Sequence, residues 1–114
     1  MARARDLWEA LSVALEKQDV RAIVDLYAPD AVYLEPQNPP HETDLLIQAY
    51  LNSWLQARDN IDINTLRMLE SSDGTTLAVE WTVSYTAAGR RWNDLPRSSW
   101  FESDGEVLRY HRDY

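Results

Sequence analysis

The chain has 114 residues, a formal net charge of −8 and no cysteine. Its length fits a single domain over residues 1–114, and 45% hydrophobic with 26% charged residues is the composition of a globular protein. The acidic balance argues against nucleic acids and anionic membranes as partners, because both are bound through a basic face. No apolar run is long enough to span a membrane, and the N-terminus lacks the apolar core of a signal peptide, so we expect a cytoplasmic protein.

The sequence lacks residues that several kinds of functional site require. With two histidines and no cysteine, a typical zinc site is not expected, and no metal is predicted. The three glycines lie in separate turns and form no phosphate-binding loop, so no cofactor is predicted. Five Trp and six Tyr accompany a single Phe, and such side chains line pockets and interfaces as readily as cores.

Three segments in the first half of the chain have apolar residues spaced three and four apart, which is typical of amphipathic helices. Asp6, Asp19 and Thr43 are the expected N-caps of these helices. The second helix must end near residue 27, because Pro29 has no backbone N–H to donate. The predicted helices span residues 7–15, 19–27 and 43–58.

From residue 61 onward, β-branched and aromatic residues alternate with polar ones, which predicts strands separated by Gly-containing turns. The predicted strands span residues 31–36, 62–71, 75–86, 91–103 and 106–114. This order gives an α+β fold. A strongly curved antiparallel sheet wrapped around the long third helix forms a cone, and the open end of a cone is a natural ligand pocket.

The order of elements and two sequence segments resemble the nuclear transport factor 2-like superfamily, in its SnoaL-like branch of polyketide cyclases and small isomerases. The first segment, 14–33, begins ALEKQD and ends APDAVY, and the second, 104–114, begins DGEV and ends HRDY. The resemblance implies an α+β roll with a pocket for a small hydrophobic molecule. It also implies a homodimer through the outer sheet face, where the expected outward residues are Glu80, Thr82, Ser84 and Phe101.

Within that superfamily, the sequence Tyr33-Leu34-Glu35-Pro36 and the terminal Arg112-Asp113-Tyr114 resemble the limonene-epoxide hydrolase group. In those enzymes a tyrosine and a polar residue hold a water that an aspartate activates, so the resemblance implies that Tyr33, Glu35 and Asp113 face the pocket. The same enzymes carry an Arg-x-Asp on a central strand, and its aspartate protonates the epoxide. Our alignment places Val79 and Trp81 there, so the epoxide-hydrolase mechanism is not expected.

Strand alternation places His111 and Asp113 on one face, and a histidine beside a carboxylate is typical of general acid–base catalysis. The alternative is a structural hydrogen-bond network near the chain end. Glu35 is a candidate acid or base if it is buried beside Tyr33, although a position just before Pro36 also fits a solvated carboxylate. If Glu35 and Asp113 meet, one of them should hold a proton near neutral pH.

The remaining predicted pocket residues are large or lie on the last strands. We expect a lining formed by Trp81, Val83, Val79, Trp100 and Ser98, with Trp54 of the long helix as its floor. The alternative is a cone filled by the indole rings, with no cavity.

Two functions remain open at this point. The first is a cofactor-free isomerase, cyclase, dehydratase or hydrolase acting on a small hydrophobic, cyclic substrate. Asp113 would be its base, His111 or Glu35 its acid or orienting partner, and Tyr33 a donor to the substrate or a water. The second is a ligand-binding or dimerising scaffold without chemistry, and fold alone does not choose between the two.

Overall fold

The computed structural model describes residues 2–114 of the chain. Over this range two helices, a strand and a third helix come first, and a meander of four strands follows. In chain order they are α1 (Ala4–Glu16), α2 (Val20–Val24), β1 (Tyr27–Leu34), α3 (Asp44–Gln56), β2 (Asp59–Glu70), β3 (Thr76–Ala87), β4 (Arg90–Ser103) and β5 (Leu108–Asp113). No helix within residues 2–114 combines the length and apolar character needed to cross a bilayer.

Side chains close the helix N-termini largely as the sequence predicts. Asp19 and Thr43 accept hydrogen bonds from backbone N–H groups three residues later, at 3.1 and 3.2 Å. Asp6 acts differently, because α1 already begins at Ala4. Its carboxylate reaches back to the backbone N–H of Arg3, at 3.3 Å. Asp6 is therefore the acidic partner inside the first turn and not the N-cap.

The prediction that the second helix continues to Tyr27 is wrong. Helix α2 ends at Val24, and Tyr27 is already the first residue of β1. The carbonyl of Leu26 accepts a hydrogen bond from the N–H of Leu108, at 2.7 Å, which draws the chain onto the sheet. Pro29 lies where the pairing between β1 and β5 is irregular, and an edge strand tolerates such a missing donor.

The strands form one curved, unclosed sheet with the order β1-β5-β4-β3-β2. Strands β2 to β5 make the predicted antiparallel meander. Strand β1 adds a parallel pairing at the β5 edge. Because β5 lies between β1 and β4, its side chains meet residues from both neighbours, and this arrangement positions the site described below.

Strand β4 presents the opposite face from the one expected. Phe101 is fully buried and Ser99 nearly so, whereas Trp100 is 39% exposed on the outer face and donates from its indole N–H to Glu102. Ser99 pairs with the buried Val79 of β3, and residues paired across strands share a face. The expectations that Phe101 points outward and that Trp100 points into the cone are therefore wrong.

The strand pairing is also irregular near Ser84, another residue that we expected on the outer face. The pairing of β3 with β4 shifts between Val83 and Tyr85. At this bulge Ser84 is buried, and its hydroxyl accepts a hydrogen bond from the backbone N–H of Asp94, at 2.9 Å. A bulge interrupts strict alternation, which explains why residue parity does not predict the orientation of Ser84.

The core joins α1 to the inner sheet face. The Trp8 ring lies 5.1 Å from that of Trp81 and 5.5 Å from that of Phe101, and its indole N–H donates to Thr65. This aromatic cluster fills one end of the sheet's concave side. Space remains between the cluster and helix α3, and this space is the candidate site.

Candidate active site

A cavity of ≈420 Å³ lies between helices α1 and α3 and the inner face of the sheet. Its volume is within the range of small-molecule sites, so the indole rings do not fill the cone. Two of the predicted lining residues, Trp54 and Trp81, lie at this cavity. The other four lie elsewhere: Val79 and Val83 in the buried core, and Ser98 and Trp100 on the exposed outer face.

Asp113, at the end of β5, lies in the cavity wall and accepts hydrogen bonds from three side chains. Tyr33 of β1 donates to Oδ2. Ser99 of β4 donates to Oδ1 at 2.5 Å, and Nε2 of His111 lies 2.7 Å from the same oxygen. The carboxylate is held in one orientation because both neighbouring strands supply a donor.

These contacts determine whether Asp113 is ionised. Burial alone raises the pKa of a carboxyl group. Here the electrostatic effect of His111 and the hydrogen bonds from His111, Ser99 and Tyr33 outweigh burial and hold the pKa of Asp113 below its ordinary value. The group is therefore an ionised carboxylate near neutral pH and can accept a proton.

The His111 ring packs between two aromatic rings, and each of its nitrogens lies at hydrogen-bond distance from another side chain. Its ring stacks on Tyr33 at 4.3 Å and on Phe101 at 4.2 Å. Nδ1 lies 2.8 Å from the hydroxyl of Tyr27. Burial, reinforced by the charge of Asp113, raises the pKa of Tyr27 well above its ordinary value, so this hydroxyl keeps its proton. Nε2 faces the ionised Asp113, which can only accept a hydrogen bond, so this nitrogen is the donor.

The Tyr33 hydroxyl is engaged with Asp113 and is not a free donor toward a ligand. Burial raises the pKa of Tyr33 well above its ordinary value, and the charge of Asp113 and the hydrogen bond between the two add to this effect. The hydroxyl proton of Tyr33 is thus directed at the carboxylate, whereas we expected it to face a substrate or a water.

Glu35 is buried at the cavity and not solvated, although it directly precedes a loop. Its side chain is 5% exposed, and Oε1 lies 3.6 Å from Nε2 of His41. Both of these atoms are buried and neither has a hydrogen-bond partner. Reciprocal backbone hydrogen bonds of 2.9 Å between Tyr33 and His41 fold the intervening loop back over β1. His41 is therefore a site residue that sequence reasoning missed.

Glu35 and Asp113 do not form the shared-proton pair suggested by the sequence. The three donors around Asp113 include no Glu35, and Glu35 faces His41 instead. Tyr33 stands between them, since its ring contacts both histidines. Each carboxylate thus has its own histidine. Within residues 2–114 no group of His, Asp or Glu side chains has the arrangement of metal ligands.

Tyr50 of α3 is a second residue that the sequence did not single out for chemistry. It lines the cavity and stacks on His41, with the ring centres 4.6 Å apart. Burial, with added effects from the charges of Glu35 and Asp113, raises the pKa of Tyr50 to about 12. Its hydroxyl makes no hydrogen bond to another side chain or backbone group in residues 2–114, so it is a protonated donor free to meet a ligand.

The strand beside Asp113 is β4, not β3. Val79 and Trp81, where our alignment places the Arg-x-Asp pattern, belong to β3, whereas the register partner of Asp113 is Ser99. Arg97, two residues before Ser99, lies at the cavity. Neither β3 nor β4 places a carboxylate in the cavity wall.

Solved structures with the same fold come from several bacteria. A candidate polyketide cyclase of Pseudomonas putida superposes with a TM-score of 0.87 at 19% identity, over 100% of this chain and 92% of that one. An epoxide hydrolase of Mycobacterium tuberculosis, similar to the limonene-epoxide hydrolases, gives 0.80 at 20% identity, over 97% and 80%. An NTF2-like protein of Anabaena variabilis gives 0.86 at 15% identity, over 97% and 84%. At these identities the likeness establishes the fold alone.

Sequence comparison identifies the family. No curated protein matches the chain. A family model described as the SnoaL-like domain matches residues 7–110, which include most of α1, all of α3 and β1 to β4, and the first half of β5. The chain therefore belongs to the SnoaL-like domain family.

Proposed function

We propose that this protein is a cofactor-free enzyme that performs acid–base chemistry on a small, largely apolar, cyclic molecule. The reaction is of the isomerase, cyclase, dehydratase or hydrolase type. One observation carries this proposal: an ionised Asp113 held by three donors at the wall of an aromatic cavity. A positioned carboxylate of this kind is what a general base requires.

Asp113 acts as the base. An ionised carboxylate has about four lone-pair sites, and the donors Tyr33, Ser99 and His111 occupy three of them. The remaining site, on Oδ2, accepts a proton from the substrate or from a water that attacks it. His111 orients the carboxylate through the hydrogen bond between Nε2 and Oδ1.

Tyr50 and Glu35 supply the other half of the chemistry. Tyr50 donates a hydrogen bond to a substrate oxygen on which negative charge develops, which is the usual task of a protonated donor in an active site. Glu35, paired with His41 at the cavity, returns a proton to the product. The family membership and the cyclase and epoxide hydrolase among the similar structures support acid–base chemistry on a small molecule.

A second candidate function is ligand binding without catalysis. The observation that favours it is that neither β3 nor β4 places a carboxylate at the cavity, together with the extent to which protein donors already satisfy Asp113. Under this alternative the network around Asp113 is structural. The cavity would then hold a ligand unchanged.

We also propose that the protein is a homodimer through the outer face of its sheet. Leu69, Ala78, Trp100 and Arg112 form a continuous cross-strand row, as their register shows. Leu69 is 77% exposed and Trp100 39% exposed on this face. Large apolar side chains clustered on a surface are typical of an interaction site.

Screening the wild type and Asp113→Asn against small cyclic ketones, epoxides and polyketide-like compounds tests the enzyme proposal. We expect turnover of at least one compound class by the wild type and its loss in Asp113→Asn. The matched control is Asp30→Asn, which removes an exposed carboxylate paired with Arg109 on the surface. Turnover retained by Asp113→Asn would remove this residue from the mechanism, and ligand binding without any turnover would favour the binding alternative.

A further inference from the structure

Arg58 brings a positive charge into the cavity at the end of helix α3. The helix ends at Gln56, and the side-chain amide of Gln18 donates to the carbonyls of Leu55 and Arg58, at 3.1 and 2.8 Å. These bonds fix the segment that carries Arg58. Its guanidinium lies 4.2 Å from the ring centre of Trp54. It therefore has a defined position in the cavity wall.

The hydrogen-bonding groups of Arg58 are only partly used. Nη1 donates to the carbonyl of Trp54, at 2.9 Å, whereas Nε is buried and has no partner. The rings of Trp54 and Tyr85 pack against the group, with their centres 4.2 and 4.8 Å from its central carbon. Within residues 2–114 the carbonyl of Trp54 is the only acceptor that the group contacts. A buried donor without a partner is costly, and a ligand that accepts hydrogen bonds would remove this cost.

Arg58 also has no acidic partner within residues 2–114, although the chain holds 19 acidic and 11 basic residues. Arginines elsewhere in the fold do pair with carboxylates, for example Arg3 with Glu70 and Arg91 with Asp62. A guanidinium inside a cavity loses hydration and gains most from an opposite charge. Other arginines of this range without a carboxylate partner, such as Arg21, Arg90 and Arg112, are exposed to solvent, whereas Arg58 lies in the cavity wall.

Arg97 adds a second positive charge to the same cavity. Its Nη1 donates only to the carbonyl of the neighbouring Pro96, at 2.9 Å. The charges of Arg58 and Arg97 both lower the pKa of Tyr50, while those of Glu35 and Asp113 raise it. Tyr50 thus lies within range of both acidic and basic side chains of the cavity.

We infer that Arg58, assisted by Arg97, binds a carboxylate group on the substrate. The substrate class is then a small apolar carboxylic acid in its anionic form. A guanidinium offers a planar pair of donors that matches a carboxylate. The inference rests on the proposed function, because the same cavity holds the reacting molecule.

The spacing along α3 orients such a substrate. Tyr50, Trp54 and Arg58 follow one another at intervals of four residues and line the cavity together. The guanidinium of Arg58 reaches back over Trp54, so it lies about one helical turn, roughly 6 Å along the helix axis, from Tyr50. Tyr33, which bonds to Asp113, contacts the Tyr50 ring. The carboxylate at Arg58 therefore directs the opposite, apolar end of the molecule toward Asp113 and Tyr50.

Isothermal titration calorimetry with 2-naphthoate and the neutral 2-naphthamide tests the inference, since the two probes have similar shapes. The wild type should bind naphthoate at least about tenfold more tightly than naphthamide. The net charge of −8 repels anions in general, so this preference must come from local groups. Arg58→Met should reduce the preference to less than about threefold, chiefly through weaker naphthoate binding.

The matched control is Arg90→Met, because Arg90 stacks over Trp92 at 4.2 Å, the same distance as in the Arg58 stack, but is exposed and outside the cavity. This variant should keep the full preference. Arg58→Gln, which retains hydrogen-bond donors without charge, replaces Arg58→Met if the latter fails to fold, and the same loss is expected. Equal affinity of the wild type for the two probes, undetectable naphthoate binding, or a preference that survives the Arg58 substitution overturns the inference.

Asp113→Asn separates this inference from the proposed function. Asp113 is not part of the anion subsite, so its variant should still prefer naphthoate. Preference for naphthoate without turnover by the wild type would contradict the proposed function and support the subsite. Turnover of neutral substrates only, with no naphthoate preference, would overturn the subsite and support the proposed function.

Discussion

Ser99 of β4 donates a hydrogen bond of 2.5 Å to Oδ1 of Asp113, its register partner on β5. The same serine accepts a hydrogen bond from the indole N–H of Trp81, at 3.0 Å. Hydrogen bonds thus connect a cavity-lining tryptophan, a buried serine and the candidate base in series. The serine orients the carboxylate from the sheet side and supplies no acid of its own.

Tyr33→Phe should shift the pH dependence of the reaction. The variant removes a hydrogen bond to the ionised carboxylate, so the pKa of Asp113 should rise. The acidic limb of kcat/KM should therefore move to higher pH, and the measurement is a pH–rate profile of both proteins. Tyr110→Phe, on the same strand as Asp113, is the control. An acidic limb at the same pH in wild type and Tyr33→Phe would contradict the positioning role.

Tyr50→Phe should lower kcat with the fold intact. The phenyl ring preserves the stacking on His41, but the free hydroxyl donor is lost. Loss of one donor to a developing negative charge lowers kcat by about 10²- to 10³-fold. Steady-state kinetics checks this expectation, and circular dichroism checks the fold. A kcat equal to that of the wild type would show that Tyr50 does not contact the reacting oxygen.

The sequence predicts the reactive strand better than its surroundings. Alternation on β5 correctly places His111 and Asp113 together, because a short regular strand preserves parity. Trp100 and Phe101 are adjacent and both apolar, so the pattern cannot tell which one is buried, and a shift of one residue exchanges the faces. His41 reaches the site only because its loop folds back over β1, a long-range contact that no local pattern encodes.

Arg58 illustrates a different limit of sequence reasoning. The helical period places it in line with Tyr50 and Trp54, but an arginine beyond a helix end is normally read as a solvated charge. The signal becomes visible only when the structure shows the guanidinium in the cavity without a carboxylate partner.

The stability of the fold should depend on the ionisation of Asp113. The pKa of Asp113 in the folded protein is below its ordinary value of 3.8, so the carboxylate stabilises the native state above that pH. This contribution is lost as pH falls through the folded pKa. The gap in unfolding free energy between wild type and Asp113→Asn should shrink below pH 3.8. Urea titrations from neutral to acidic pH measure this gap, and a constant gap contradicts the assignment.

Trp100→Lys should convert the proposed dimer into a monomer. The change places a charge in the apolar row of the outer sheet face, and it leaves the cavity untouched because Trp100 points away from it. Sedimentation velocity at micromolar concentration should give a dimer for wild type and a monomer for the variant. A monomeric wild type, or a variant that remains dimeric, would exclude this face as the interface.

The central claim is that Asp113 is the general base, and the most direct test separates binding from turnover in Asp113→Asn. With the best substrate from the screen, kcat and the substrate dissociation constant are measured for wild type and variant. General-base catalysis predicts that kcat falls by about 10²- to 10⁴-fold while the substrate still binds. A variant with unchanged kcat, or one whose only defect is weaker binding, would contradict the claim and identify the network around Asp113 as structural.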